Sequence, residues 1–226
     1  MSSRPAFVVA IAGVATDVGK TWLATALIEQ LRSAGQRVSA RKPVQSYEPG
    51  TVTTDAHLLA VASGEEPTRV CPAHRWFPLA MAPPMAAQCL GLAPILLHDL
   101  LRELVWPAGV EIGVVETVGG VRSPLADDAD SATFAGALGG DHVVLVADAG
   151  LGAINAVRLC VDALTSTSIT VMLNRFDGDT FLHCANRDWL IDRDGLTVVT
   201  TVSDCVASVL RHASIGLSDP DGRLTE

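Results

Sequence analysis

The feature that most constrains the fold is an unbroken apolar run at residues 6–12, followed at once by the glycine-containing stretch 13–21. A run that is apolar at every position is typical of a β-strand buried on both faces of a parallel sheet. The next pattern predicts a helix over residues 20–34, ended by Gly35, with Trp22 packed against the sheet. Strand, glycine-containing loop and helix in this order predict an anion-binding site in the loop.

The rest of the chain alternates between apolar runs of strand length and helical patterns. We predict strands at residues 37–42, 111–116, 142–147 and 169–174, and helices at residues 54–62, 94–104, 130–138 and 153–164. A weaker helix, strand and helix follow within residues 180–212, and the proline- and alanine-rich stretch 67–92 is predicted to be irregular. The alternation predicts a single α/β domain over residues 1–226, with a mostly parallel central sheet, helices on both faces and a frayed tail at about 214–226.

Composition narrows the class of partner. Hydrophobic residues make up 49% of the chain, charged residues 18%, and the formal net charge is −9 with no cluster of Lys or Arg. Binding to nucleic acid or to an anionic membrane needs clustered cations, so we expect neither partner. The five cysteines lack metal-ligand spacing and no apolar stretch reaches bilayer length, so we expect reduced thiols and a cytoplasmic location.

The stretch 13–21 has the residues of a phosphate-binding loop. Backbone N–H groups at a helix start attract phosphate, Gly19 permits close approach, Lys20 reaches the β- and γ-phosphates, and the Thr21 hydroxyl suits Mg²⁺. The first glycine stands one residue earlier than in the usual G-x-x-x-x-G-K-[ST] spacing. We predict that the chain binds ATP through Gly13, Thr16, Asp17, Val18, Gly19, Lys20 and Thr21.

Candidate metal and catalytic residues follow other strands. Glu116 ends the strand at 111–116, and Asp55 begins the helix after the loop that follows Lys42; a phosphoryl-transfer site needs such carboxylates for Mg²⁺. Asp148 is a further strand-end carboxylate. Lys20 and Lys42 are the only lysines in the chain, and both are predicted at the same edge of the sheet, which indicates a role for two compact cations beside phosphate.

These residues together resemble the dethiobiotin synthetase family. Its loop pattern G-T-D-T-x-V-G-K-T, with the same early glycine, is matched by residues 13–21. Its other motifs are matched in the same order, by K-P-V-x-[ST] at 42–46, the metal Asp at 55, E-G-A-G-G in part at 116–120, P-L-x-D at 124–127, L-G-x-I-N at 151–155 and the adenine-side Asn at 174. The resemblance covers residues 6–176 and includes a proline-rich substrate loop near residues 81–85.

The resemblance implies an ATP- and Mg²⁺-dependent enzyme that joins CO₂ to 7,8-diaminononanoate and closes a ureido ring in biotin synthesis. It implies catalytic roles for Lys20, Lys42 and Ser46, and a metal site formed by Thr21, Asp55 and Glu116. Lys42 and Ser46 would also contact substrate. Backbone amides at Gly152, Ala153, Ile154 and Asn155 would receive the substrate carboxylate across the interface of a homodimer, and Asn174 would face the adenine.

The chain also departs from the family pattern, and the departures leave alternatives open. They lie mostly around the substrate: Val14, Ala15, Tyr47, Thr117, Val118 and Ala156. The family's late G-x-[IL]-P at the base pocket is replaced by residues 200–203. Three kinds of protein share such a loop. They are a divergent synthetase, a related ligase of the cobyrinate-amidation kind that acts on another carboxylate or amine, and a dimeric ATP-driven switch of the partition-protein kind. The switch proteins carry a lysine where this chain has Val14.

Overall fold

The computed structural model describes residues 4–164 and 168–218, with side chains described as far as residue 214. The strands are β1 Phe7–Gly13, β2 Val38–Arg41, β3 Gln45–Ser46, β4 Trp76–Phe77, β5 Ile112–Glu116, β6 Pro124–Ala126, β7 Ala129–Asp130, β8 His142–Asp148, β9 Ile169–Asn174 and β10 Thr197–Val199. The α-helices are α1 Lys20–Ser33, α2 Asp55–Ser63, α3 Pro67–Val70, α4 Pro83–Cys89, α5 Leu97–Arg102, α6 Ser131–Ala137, α7 Ala153–Ala163, α8 Phe181–Asp192 and α9 Val202–Ser218.

Six strands form one sheet in the order β10-β9-β8-β1-β5-β2, and every neighbouring pair is parallel. The first strand lies in the interior of the sheet, with β5 on one side and β8 on the other. Because all six strands run in the same direction, their carboxyl ends meet at one edge, which is where open α/β sheets bind ligands. The predicted α/β class with a parallel central sheet is confirmed.

Helices cover both faces of the sheet, and β1 shows why. Its seven residues are all buried, and successive side chains point to opposite faces. Phe7, Val9 and Ile11 pack with the apolar faces of α1, α2 and α9, whereas Ala10 and Ala12 pack with residues of α6, α7 and α8. Burial on both faces explains the unbroken apolar run in the sequence.

The predicted elements of the central sheet and its helices are present, but the prediction for residues 67–92 is wrong. That stretch contains α3, a 3₁₀ turn at Ala73–Arg75, β4 and α4. Proline stands in the first turn of both helices, where its missing N–H costs no hydrogen bond, so the prolines start short helices here. The small pairs β3–β4 and β6–β7 were also not predicted. The helix α9 continues to Ser218, and residues 219–226 of the predicted tail lie outside the described residues.

All five cysteines lie in the described part of the chain, where they are free thiols. Within residues 4–164 and 168–218, no helix combines the length and the hydropathy that a membrane-spanning segment needs.

A buried polar network joins β8, β9 and α9 at the amino-terminal side of the sheet. The imidazole of His142 is fully buried, with its nitrogens 2.7 Å from Ser168 Oγ and 3.0 Å from Thr170 Oγ1, and its ring stacks on His212. Burial, with a smaller contribution from His212, lowers the pKa of His142 to about 4. The network therefore holds a neutral histidine inside the fold.

We expect the protein to lose stability as the pH falls from about 6.5 to about 4, because the unfolded chain protonates His142 more readily than the folded chain. The contribution is fully present above pH 6.5 and declines by at most about 1.4 kcal/mol per pH unit within that window. Urea unfolding at pH 7, 6 and 5 should give a shallower decline for His142→Gln than for the wild type. Equal slopes in the variant and the wild type would contradict this role.

Candidate active site

The phosphate-binding loop leaves the end of β1 and enters α1 through Gly19. Gly19 has φ 97°, and a Cβ atom there would collide with the side-chain amide of Asn174. Asn174 ends β9 and donates its Nδ2–H to the carbonyl of Val18 at 2.8 Å. The glycine is therefore required both by its left-handed backbone and by the close approach of β9, and the loop is fixed to the sheet at that point.

Lys20 is the cation of the loop. Its side chain is almost fully buried, and its Nζ donates to the carbonyl of Ala15 at 2.9 Å, so the amine lies over the loop. Burial, and then repulsion from Lys42, lower the pKa of Lys20 to about 8, against the attraction of nearby carboxylates. An anion that enters the loop meets a poorly solvated cation and gains strong electrostatic interaction with it.

The second lysine lies between two carboxylates. Lys42 Nζ is 2.6 Å from Glu116 Oε1 and 2.8 Å from Asp55 Oδ2, and it also donates to the carbonyl of Thr117 at 3.2 Å. Burial opposes the charge on Lys42, but the two carboxylates outweigh burial and raise the pKa of Lys42 above its usual range. Lys42 in turn lowers the pKa of Asp55, which favours the charged form of that carboxyl group.

The cluster continues into the loop through Thr21, whose hydroxyl donates to Glu116 Oε1 at 2.9 Å. Glu116 is 1% exposed, burial raises its pKa against the opposing effect of Lys42, and its Oε2 atom has no hydrogen-bond partner among the described residues. The oxygens of Thr21, Asp55 and Glu116 are hard donors of the kind that Mg²⁺ prefers, and an unpartnered buried carboxylate oxygen leaves a position for it. The residues therefore fit the metal that the sequence predicts at this point.

These groups line one open cleft with a volume of about 710 Å³ at the carboxyl edge of the sheet. The opposite wall comes from β3 and residues 80–83, which include the start of the proline-rich stretch. Ser46 lies on this wall and donates its hydroxyl hydrogen to the carbonyl of Met81 at 2.6 Å. Thr16, Asp17, Gly19, Lys20 and Thr21 line the phosphate side.

The four residues predicted to hold the substrate carboxylate do not line this cleft. Gly152, with φ 92°, caps the start of α7, and Ala153, Ile154 and Asn155 form its first turn. The neighbouring Leu151 is 92% exposed. Asp148, the further carboxylate candidate, pairs with Arg175 and lies outside the lysine–carboxylate cluster.

Two site residues could not be found from the sequence. Gln45 lines the cleft; its side-chain Oε1 accepts the backbone N–H of Ala56, and its buried Nε2 has no hydrogen-bond partner among the described residues. The prediction that Trp22 packs against the sheet is wrong, because its side chain is 54% exposed and lines the cleft. On α1 the buried face includes Leu23, Leu27 and Leu31. Trp22 precedes Leu23 by one residue, and successive residues of a helix point in different directions.

We expect removal of one partner of the buried pair to destabilise the fold strongly. Lys42→Met leaves Glu116 buried without its counter-charge, and Glu116→Gln removes the closest counter-charge of Lys42. Each substitution should therefore lower the free energy of unfolding by about 3–5 kcal/mol. The double variant should cost less than the sum by at least about 1 kcal/mol, measured by urea unfolding. The exposed pair of Arg102 and Asp99 is the matched control, with a coupling of about 0.5 kcal/mol or less. Strictly additive costs for Lys42 and Glu116 would contradict the pairing.

Comparison with solved structures supports the fold. A putative plasmid partition protein from Borrelia burgdorferi B31, bound to AMPPNP, superposes with a TM-score of 0.54 at 13% identity, over 96% of this chain and 100% of that chain. At this identity the likeness establishes a P-loop NTPase-like architecture alone.

Comparison of sequences defines the family. A family model described as an AAA domain matches residues 8–204. The ATP-dependent dethiobiotin synthetase BioD of Corynebacterium efficiens is 38% identical over 166 residues, which cover 72% of this chain and 71% of that protein. The BioD protein of Haloferax mediterranei is 32% identical over 219 residues and 91% of each chain. The chain therefore belongs to the dethiobiotin synthetase family of ATP-dependent P-loop ligases.

Proposed function

We propose that this enzyme uses ATP and Mg²⁺ to carboxylate 7,8-diaminononanoate with CO₂ and close the ureido ring of dethiobiotin, a step of biotin biosynthesis. The observation that carries the proposal is the convergence of Lys20 and Lys42 on one cleft, beside Asp55 and Glu116. A phosphoryl group and a carboxylated amine are both anionic, and two poorly solvated lysines can neutralise both at once. The two relatives are dethiobiotin synthetases, and the proposed substrate is the diamine from which that product is made.

The proposed chemistry has three steps. One amine of the diamine attacks CO₂ and loses a proton, which gives a carbamate. A carbamate oxygen attacks the γ-phosphorus of ATP, ADP leaves, and a carbamic–phosphoric anhydride forms. The second amine attacks the carbonyl carbon of this anhydride, loses a proton and expels inorganic phosphate, and the ring closes. Most of the rate enhancement would then come from the positioning of the reactants and the neutralisation of their charge.

Each residue of the cleft has a place in this scheme. Lys20 would hold the γ-phosphoryl group as charge develops on it, and backbone amides of the loop from Gly13 to Thr21 would hold the other phosphates. Lys42 would steady the carbamate from the opposite side. The Ser46 hydroxyl already donates its hydrogen to the carbonyl of Met81. Its oxygen would therefore accept a hydrogen bond from an amine N–H of the substrate. Asn174 would face the adenine.

Thr21, Asp55 and Glu116 would hold Mg²⁺, which when bound neutralises phosphate charge during phosphoryl transfer. The support is the chemistry of the donor set: two carboxylates and a hydroxyl, with Glu116 Oε2 unpartnered. Among the described residues no group of three or more His, Cys, Asp or Glu side chains is placed to hold a metal ion, so phosphate oxygens and water would complete the proposed site.

We further propose that the substrate carboxylate binds the start of α7 in a second copy of the chain. Gly152 to Asn155 supply N–H groups at a helix N-terminus, which attract anions, yet these residues do not line the cleft of their own chain. A homodimer with the site at its interface reconciles the two facts. Five free thiols suit the reducing cytoplasm, where we propose that the enzyme works.

The decisive test follows phosphate release from purified protein with ATP, Mg²⁺ and bicarbonate, with and without the diamine. We expect release that depends on the diamine, and ring closure detectable by mass spectrometry. Lys20→Met should lower this rate by at least about a hundredfold, because it removes the charge nearest the transferred group. Arg102→Met, which alters an exposed cation that does not line the cleft, should retain the wild-type rate. Release that ignores the diamine would refute the proposal and favour the alternative ligases.

If the substrate site spans two chains, activity depends on protein concentration. On dilution, the diamine-dependent rate per chain should fall in parallel with the dimer fraction measured by analytical ultracentrifugation, because the site is complete only in the dimer. ATP affinity should stay constant, since the phosphate loop lies within one chain. A monomer with an undiminished rate would refute the shared site.

A further inference from the structure

A second cavity of about 550 Å³ adjoins the active-site cleft. It is formed by the end of β9, Phe176, residues 200–202, which follow β10, and three residues that also line the cleft, namely Gly19, Trp22 and Arg175. A ligand whose phosphates lie in the loop therefore has one continuous path into the second cavity, between Trp22 and Arg175. A nucleoside attached to those phosphates fits this path.

Trp22 differs from the other tryptophans of the chain. Its side chain is 54% exposed, although a large aromatic side chain usually gains from burial. The other three tryptophans each pack against a cationic or aromatic side chain: Trp76 with His57, Trp106 with Arg41, and Trp189 with Arg158 and Arg193. Within the described residues no ring or guanidinium stacks on Trp22.

Arg175, on the other side of the path, is held in place by the protein itself. Its guanidinium pairs with Asp148 at 2.8 Å and donates to the carbonyl of Asp17 at 2.8 Å, and its backbone has φ 54°, which is unusual for a residue with a side chain. Phe176, the other aromatic residue of the cavity wall, has the guanidinium of Arg187 over its ring at 5.3 Å. Among the described residues, the indole of Trp22 is therefore the aromatic ring of this wall that has no side chain stacked on it.

We propose that Trp22 is the stacking platform for the nucleobase of the bound triphosphate, and that it gives this enzyme its preference for purine over pyrimidine nucleotides. The inference rests on the nucleoside triphosphate binding of the proposed function, but not on the diamine or the ring closure. An indole stacks on every base, and its contact area with a two-ring purine exceeds that with a one-ring pyrimidine. Trp22 would thus favour purines through the larger contact area between indole and base, and not through hydrogen bonds to the edge of the base.

Titration calorimetry with ATP, CTP and tripolyphosphate, each with Mg²⁺ and without diamine or bicarbonate, tests this assignment. For Trp22→Ala we expect the Kd of ATP to rise about tenfold and that of CTP by less, since base–aromatic stacking has this magnitude. The Kd of tripolyphosphate, which has no base, should change by less than about twofold. Trp22→Phe should restore most of the ATP affinity because it restores an aromatic face.

The control is Trp189→Ala, which removes an exposed indole on α8 outside both cavities. It should leave all three Kd values unchanged and should keep the ATP-dependent change in tryptophan fluorescence, which Trp22→Phe should abolish. Equal weakening of ATP and tripolyphosphate in folded Trp22→Ala would overturn the proposal, because Trp22 would then act through the phosphate loop. Unchanged ATP affinity would overturn it too. If the alanine variant does not fold, the fluorescence and Kd values of Trp22→Phe decide alone.

Wild-type protein that binds ATP more tightly than CTP, but releases no phosphate in the presence of the diamine, would leave this inference intact while refuting the proposed reaction.

Discussion

The buried charge of Lys42 is the interaction on which the arrangement of the active site depends. An ammonium group removed from water is stable only when counter-charges surround it, and here they come from Asp55 at the start of α2 and Glu116 at the end of β5. Three elements far apart in the chain are thereby held at one edge of the sheet. Thr21, bonded to Glu116, connects the phosphate loop to the same cluster.

This cluster also fixes the positions of the charged groups of the site in the absence of a ligand. Lys20 and Lys42 repel each other, and that repulsion together with burial lowers the pKa of Lys20 to about 8. In the proposed reaction, the phosphates of ATP would supply negative charge near both cations and offset their mutual repulsion. Charges that are fixed in advance need little reorganisation during reaction, which is the main source of rate enhancement in phosphoryl transfer. Because these charges are buried, a substitution that removes one of them lowers the stability of the fold.

The sequence predicted the elements that carry strong local signals. The apolar run at 6–12, the glycines around Lys20 and the carboxylate at the end of β5 follow rules of burial and backbone geometry that act within a few residues. The prediction failed for residues 67–92, where proline was interpreted as a breaker although it stands in the first turn of two short helices. It also failed for Trp22, whose neighbour Leu23 faces the core: a shift of one residue on a helix changes the face.

The sequence by itself determined the parallel α/β class, the phosphate loop, and the two lysines and two carboxylates as candidate site residues, because periodicity and residue chemistry express these locally. Only the tertiary structure decided which groups meet. It brought Lys42 between Asp55 and Glu116, and it left Gly152 to Asn155 outside the cleft of their own chain. It also joined the cleft to a second cavity at Trp22, because contacts between distant segments depend on the packing of the whole sheet and its helices.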